Sequence, residues 1–333
     1  MKLLHRPAWM KISPAYVLPI VPTTHGGTLD VPVAGDQGVP VVSVPLRQVI
    51  SAYINLMKPH VTVLLLGITV AAMVIVHGSL PALGLVIATL LGGAMAAGSA
   101  NCINCYIDRD IDQVMSRTQR RSLPAGRVQP RQALLFGFAL GIGSFLVLTL
   151  FVNLLSAVLS AAAIVFYVVV YTMWLKRTTT QNIVIGGAAG AVPVLVGWAA
   201  VTNSLSLTAI LLFAIIFFWT PPHFWALALL IHKDYERAHI PMLPVVKGEH
   251  ETRRQVFLYS ILLLAITLLP YVTQRMGILY LIGAVLLGGI LVYMALRLLM
   301  DHTKKWARTL FWYSNCYLAV LFAVMVIDRV LLH

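Results

Sequence analysis

The chain has 333 residues, 59% of them hydrophobic and 11% charged. Soluble domains run nearer 45–50% apolar and about 25% charged, so a water-soluble globular protein is excluded. Its 24 Lys and Arg against 11 Asp and Glu leave a formal charge of +13; in so apolar a chain that excess belongs to loops at a membrane face, and no nucleic-acid partner is expected. Three cysteines cannot complete a disulfide framework.

Residues 1–45 hold seven prolines and the glycines of THGGTLDVPVAGDQG. They contain neither an apolar run long enough for a signal peptide nor an Arg- and Ser-rich presequence. A flexible cytoplasmic tail is expected there, and a bacterial plasma membrane rather than a mitochondrial one. From residue 46 a single membrane domain is expected to run to 333. It opens with an interfacial helix, because Leu46, Val49, Ile50 and Tyr53 recur at helical spacing.

Nine apolar runs follow, near residues 60–77, 82–104, 133–152, 154–175, 183–201, 207–231, 256–272, 277–299 and 309–332. Each is long enough for a helix to cross a hydrocarbon core of roughly 30 Å, so the fold class is an all-α polytopic membrane protein with nine transmembrane helices. Lys and Arg number 6, 2, 5 and 4 in the second, fourth, sixth and eighth connections, with Arg297 at the end of the eighth run counted in the last, and only Arg275 lies in the other four. The positive-inside rule then places the N-terminus and the basic loops in the cytoplasm and the C-terminus outside.

Three acidic residues crowd NCINCYIDRDID at the end of the second run. At about 100° per residue, Asn104, Asp108 and Asp112 advance by about 40° per step and share one stripe, from which Asp110 points away. Two carboxylates one turn apart, with an amide a turn earlier, suit Mg²⁺, a hard ion held by one or two carboxylates together with phosphate oxygens. Arg117 and Arg121, among five arginines in the loop that follows, would bind that phosphate in a bidentate fork. A loop whose arginines only enforce topology accounts for the same residues equally well.

The loop after the sixth run repeats the order seen after the second. Asp112, Arg117, Pro124 and Gly126 correspond to Asp234, Arg237, Pro244 and Gly248. An offset of four helices preserves direction, so parallel repeats are expected.

NCYIDRDIDQVMSRTQRRSLPAG resembles the first aspartate motif of the UbiA superfamily of intramembrane prenyltransferases. YTMWLKRTTTQNIVIGGAAGAVPVLVGWAAVT and KDYERAHIPMLPVVKG are similar to the branch whose acceptor is protoheme, and the likeness spans about residues 50–330. Ser122 stands where relatives often carry proline. Relatives that prenylate aromatic rings often have two Asp four apart in the second loop, whereas here Ala238 follows Asp234 at that spacing. The resemblance implies a UbiA-like bundle with a cytoplasm-facing cavity, farnesyl diphosphate and heme b as substrates, Mg²⁺ as cofactor, and a heme A synthase as the protein partner to look for. It implies that Asp108, Asp112 and Asp234 hold metal. Lys176, Arg177, Lys233 and Arg237 would contact the diphosphate, with Asn182 orienting the Lys-Arg pair.

His223 in WTPPHFWAL sits beside two prolines that free backbone carbonyls. It is either a satisfied core histidine or a contact to a porphyrin propionate or iron. The aromatic residues around it either pack or face an allylic cation. Cys102 and Cys105 form a CxxC on a membrane helix without a second ligand pair, which points to packing. The glycines of the fifth run read as close helix contact. Three rivals remain: the same transfer to a quinone precursor, a CDP-alcohol phosphotransferase, whose DG...AR start is missing, and a cation transporter, whose site would lie nearer the midplane.

Overall fold

The computed structural model describes residues 28–31, 42–301 and 303–332. Most of the expected tail therefore lies outside the described residues. Its described parts, β1 (Thr28–Val31) and β2 (Val42–Pro45), pair antiparallel with Thr28 opposite Pro45. The interfacial segment is helical, α1 (Leu46–Leu56).

The compact unit from Tyr53 to His333 is helical. Its elements are α2 (Pro59–His77), α3 (Leu83–Ile107), α4 (Arg109–Val114), α5 (Pro130–Phe151), α6 (Leu154–Val165), a π-helical stretch (Phe166–Leu175) and α7 (Lys176–Thr178). They are followed by α8 (Asn182–Thr202), α9 (Leu207–Leu230), α10 (His232–Arg237), α11 (Leu243–Val246), α12 (Gly248–Val272), α13 (Ile278–Met300) and α14 (Lys304–Leu332). Among the described residues nine helical segments are long and apolar enough to cross a membrane, and the protein is a multi-pass membrane protein. Leu135, Leu150, Phe151 and Trp312 are exposed on the surface, as lipid-facing side chains should be. The seventh span starts eight residues before the expected 256, because GEHETRRQ continues the helix beyond its apolar part.

The helix ends follow local chemistry. Pro59 and Pro130 occupy first turns, where a missing N–H costs nothing. Asn153 and Ser206 cap α6 and α9 by accepting from Ser156 N and Ala209 N. Asn153 thus makes the tight hairpin between the third and fourth spans, and its Nδ2 also reaches Ala199 O at 2.7 Å. Asp328, fully buried in α14, accepts from the backbone N–H of Gly277 and Tyr280 and so caps α13.

The most enclosed spans are α8 and α9. The glycines of α8 do approach closely: a Cβ on Gly197 would lie 2.4 Å from Thr69 O in α2, and one on Gly187 would meet Thr220 in α9. The repeat is also visible. α3 and α9 each break after their last apolar turn, at Asp108 and Ile231, and a six-residue helix follows each break. Each loop then turns through a positive-φ glycine, Gly126 at 69° and Gly248 at 79°.

Candidate functional site

The break at Asp108 does not disturb the stripe, because the N–H of Asp108 still donates to Asn104 O and that of Asp112 to Asp108 O, each at 2.8 Å. Asp108 is 1% exposed and Asp112 2%. Burying a carboxylate costs several kcal/mol unless it is paired, and each has a cation from elsewhere in the chain. Lys176 Nζ donates to Asp108 Oδ2 at 2.5 Å. Arg121 Nη1 donates to both oxygens of Asp112, at 2.9 and 3.0 Å.

Asn104 connects Asp108 to two further helices. Its Nδ2 donates to Asp108 Oδ2 at 2.7 Å and to Thr172 Oγ1 at 3.2 Å, while its Oδ1 accepts from Lys58 Nζ at 2.9 Å. Thr172 lies in the π-helical stretch, where its hydroxyl donates to Tyr167 O, five residues back. A π turn adds one residue per turn relative to an α-helix and often marks a functional site. Here the π stretch carries Thr172 to Asn104 and is followed directly by Lys176 at Asp108.

The second loop joins the first. Ser116 Oγ donates to the Asp234 carboxylate, 2.8 Å from either oxygen, and Arg237 pairs with the same carboxylate. Arg117 Nη2 donates to Tyr235 Oη at 3.2 Å. Asp110 leaves the stripe, as its position on the helix requires, and takes both Arg177 Nη atoms at 2.8 Å; Arg177 Nη2 also lies 3.6 Å from Asp108 Oδ1. Asp110, Arg177, Arg237 and His239 line a cleft together with Ile111 and Ile240.

These contacts set the ionisation of the groups outside the spans. Burial raises the Asp234 carboxyl, but hydrogen bonds from Ser116 and Arg237 and the nearby guanidinium charges outweigh it and hold the group below its ordinary value. Asp110 follows the same balance, with Arg177 outweighing burial. Burial pushes the Lys58 ammonium below its ordinary value.

Of the expected site residues, Asn104, Asp108, Asp112, Arg117, Arg121, Lys176, Arg177, Asp234 and Arg237 fall into this connected group. Lys233 is exposed on α10. Asn182 is fully buried, and its Nδ2 donates to Thr179 O rather than engaging Lys176 or Arg177; its Oδ1 has no hydrogen-bond partner. His223 has its own surroundings: Nδ1 is 2.7 Å from Ser314 Oγ, and its ring stacks on Trp219 and Phe311. Cys102 and Cys105 are buried free thiols, consistent with packing. The residues that sequence reasoning missed are Lys58, Thr172 and Ser116. Lys58 stands before Pro59 at a membrane boundary, a position that topology alone explained.

The donor set fits a divalent hard cation. Asp108 Oδ1 is buried and has no hydrogen-bond partner within 3.5 Å, the Arg177 guanidinium lying 3.6 Å away, so it is an anionic oxygen able to take a cation. Among the described residues no three His, Cys, Asp or Glu side chains gather round one point. A metal here would complete its shell with phosphate oxygens and water, the usual habit of Mg²⁺.

A family model described as the UbiA prenyltransferase family matches residues 65–315. A protoheme IX farnesyltransferase of Gloeobacter violaceus (strain ATCC 29082 / PCC 7421) is 54% identical over 293 residues, which cover 87% of this chain and 96% of the relative. One from Symbiobacterium thermophilum is 53% identical over 283 residues, 84% of this chain and 95% of the relative. A third, from Roseiflexus sp. (strain RS-1), is 53% identical over 278 residues, 84% of this chain; the chain spans about half of that longer protein, 52%. Among solved structures, one of digeranylgeranylglyceryl phosphate synthase superposes with a TM-score of 0.71 at 17% identity, covering 85% of this chain and 99% of the other. A UbiA homolog from Archaeoglobus fulgidus bound to GPP and Mg²⁺ gives 0.60 at 16% identity, covering 82% and 99%. These structural likenesses establish the fold.

Proposed function

The chain belongs to the UbiA prenyltransferase family, and we propose that it transfers the farnesyl group of farnesyl diphosphate to a vinyl group of protoheme, giving heme O for respiratory oxidases. The observation that carries this reading is identity above 50% along nearly the full length of relatives called protoheme IX farnesyltransferase. The lone Asp of the second loop agrees with it, since Ala238 follows Asp234 where an aromatic-ring prenyltransferase often has a second Asp.

Asp108, Asp112 and Asp234 would hold Mg²⁺, which supplies positive charge to the diphosphate as it leaves. The chain's own cations act in the same direction. Lys176, Arg121 and Arg237 rest on the carboxylates, and their donors would turn to the diphosphate oxygens if those carboxylates held the metal. Arg117 and Arg177 reinforce them at the edge. Charge is then stabilised by groups already in place. The farnesyl chain lies among apolar helices that keep water from the allylic carbon. The vinyl group of protoheme attacks that carbon, and water completes the hydroxyethylfarnesyl product. Lys233 is a contact for the incoming diphosphate at the exposed rim, Asn182 positions the turn before α8, and His223 faces the acceptor.

The membrane is that of a bacterial cell, with the aspartate loops, the N-terminus and the cavity on the cytoplasmic side, as the basic loops require. A heme A synthase is the protein partner, because its chemistry consumes heme O. Membranes holding the chain, supplied with farnesyl diphosphate and heme b, yield a porphyrin heavier by one farnesyl group plus one hydroxyl, the second proton of the water being released, and a chelator stops the reaction. Unchanged heme with a prenylated hydroxybenzoate would assign the chain to the quinone branch instead. No prenylated product from any acceptor would end the transferase reading.

A further inference from the structure

Tyr235 is held firmly within α10. It is buried, its N–H donates to Ile231 O at the break after α9, and its carbonyl accepts from Ile240 N at 3.0 Å. That last bond closes a turn through His239, whose φ of 54° is left-handed. Tyr235 belongs to the same buried cluster as Ile111 and Met115 of the first aspartate loop. Its phenol makes the polar contact between the loops: Oη accepts from Arg117 Nη2 at 3.2 Å, and the guanidinium carbon stands 5.8 Å from the ring centre. A ring face attracts a cation within about 6 Å, so Arg117 is held both by a bond and by the ring.

Four other cations of the site rest on carboxylates: Lys176 on Asp108, Arg121 on Asp112, Arg177 on Asp110 and Arg237 on Asp234. Each must give up an ion pair before it binds an anion. Arg117 forms no salt bridge among the described residues. Its partner is a neutral phenol, so its charge stays uncompensated. An exposed arginine loses side-chain freedom when it binds a ligand, and fixing it beforehand removes part of that cost. The contact also stands apart from the metal ligands. A metal on Asp234 would displace Ser116 and Arg237 from that carboxylate, whereas the bond between Arg117 and Tyr235 contains no oxygen that a metal on the carboxylates would claim. A guanidinium has five N–H donors, so one can stay on the phenol while others take phosphate oxygens.

We propose that Tyr235 is a positioning residue which holds the uncompensated Arg117 guanidinium between the two aspartate loops, ready to receive the donor's diphosphate. This rests on the prenyl-diphosphate reading above. Ser116 and Asp234 join the loops in the resting site. Arg117 and Tyr235 keep them joined once the metal and the diphosphate are bound.

The test is a double-mutant cycle on the purified full chain. Binding of non-reactive farnesyl thiodiphosphate in the presence of Mg²⁺ is measured by calorimetry, beside the KM for heme b and the thermal unfolding of each variant. Tyr235→Leu should weaken analogue binding by about tenfold, the order expected for a lost bond to a charged group. Tyr235→Phe, nearly isosteric and still offering a ring face, should weaken it by less, and the KM for heme b should stay unchanged in both. In an Arg117→Met background Tyr235→Phe should have no further effect, because a residue that acts through Arg117 then has nothing to hold. Losses that add in the double variant, unaltered analogue affinity in Tyr235→Phe and Tyr235→Leu, or a change confined to the KM for heme b would each overturn the proposal. If Tyr235→Leu does not fold, Tyr235→Phe and its double variant decide the matter. If the unaltered chain binds no analogue, the prenyl-diphosphate reading itself fails and the proposal falls with it.

Discussion

Ser116 Oγ stands 2.8 Å from both carboxylate oxygens of Asp234, a residue 118 positions further along the chain. This single hydroxyl ties the loop after α4 to α10. It also brings the two aspartate motifs, which belong to different halves of the repeat, into one site.

That contact has a pH signature. The folded Asp234 carboxyl is held below its ordinary value, so it contributes stability above the unfolded carboxyl value of about 3.9 and loses it as pH falls through the lower folded value. Thermal unfolding of the purified protein should lose this contribution only below about pH 4. Ser116→Ala should start from a lower plateau at neutral pH and show a smaller acid-dependent drop. An unchanged acid limb in Ser116→Ala would separate Asp234 from the effect.

Asp108→Asn and Asp112→Asn should each lower turnover by about a hundredfold or more while the protein still inserts and folds, because Asn keeps the shape but removes the charge that Mg²⁺ requires. Cys102→Ser combined with Cys105→Ser should remain active. Product formation measured by mass, beside membrane expression levels, decides it. An essential cysteine pair with dispensable aspartates would refute the diphosphate site.

Gly197→Ala should destabilise the bundle by about 1–3 kcal/mol, as overpacking does, since the new Cβ would meet the Thr69 carbonyl of α2. Backbone cannot move aside as a flexible side chain can. A lower unfolding temperature in detergent is the measurement, and Gly190→Ala, with nothing within 4 Å of its Cβ position, is the control.

Reporter fusions should place Gln119 and Glu249 on the cytoplasmic side and the C-terminus after His333 on the other. The distribution of 17 Lys and Arg in the even connections against one in the odd requires it. Both termini on one side would be incompatible with nine spans.

The number and order of the spans were legible in the sequence because a bilayer imposes one dominant rule, a long apolar run for every crossing. The spacing of Asn104, Asp108 and Asp112 was legible because an α-helix turns every i to i+4 set onto one face, even where α3 gives way to α4. The paired loops, each with Asp, Arg, Pro and Gly in the same order, were visible as text, and Gly126 and Gly248 proved to make the same positive-φ turn. Composition could not find the start of α12, since its first residues are polar and extend an otherwise apolar helix. Neither could it say which cation serves which carboxylate: Lys176 is 68 residues from Asp108, and Lys58 is 46 from Asn104. Charge excess explains every basic residue equally well as a topology signal, and only proximity separates those that rest on a buried carboxylate. The π-helical stretch that brings Thr172 to Asn104 left no periodic trace in a span that is apolar on every side. The sequence alone therefore determined the spans and the stripe of Asn104, Asp108 and Asp112. The tertiary structure decided which cation rests on which carboxylate, because Lys176 and Arg177 reach Asp108 from a different helix.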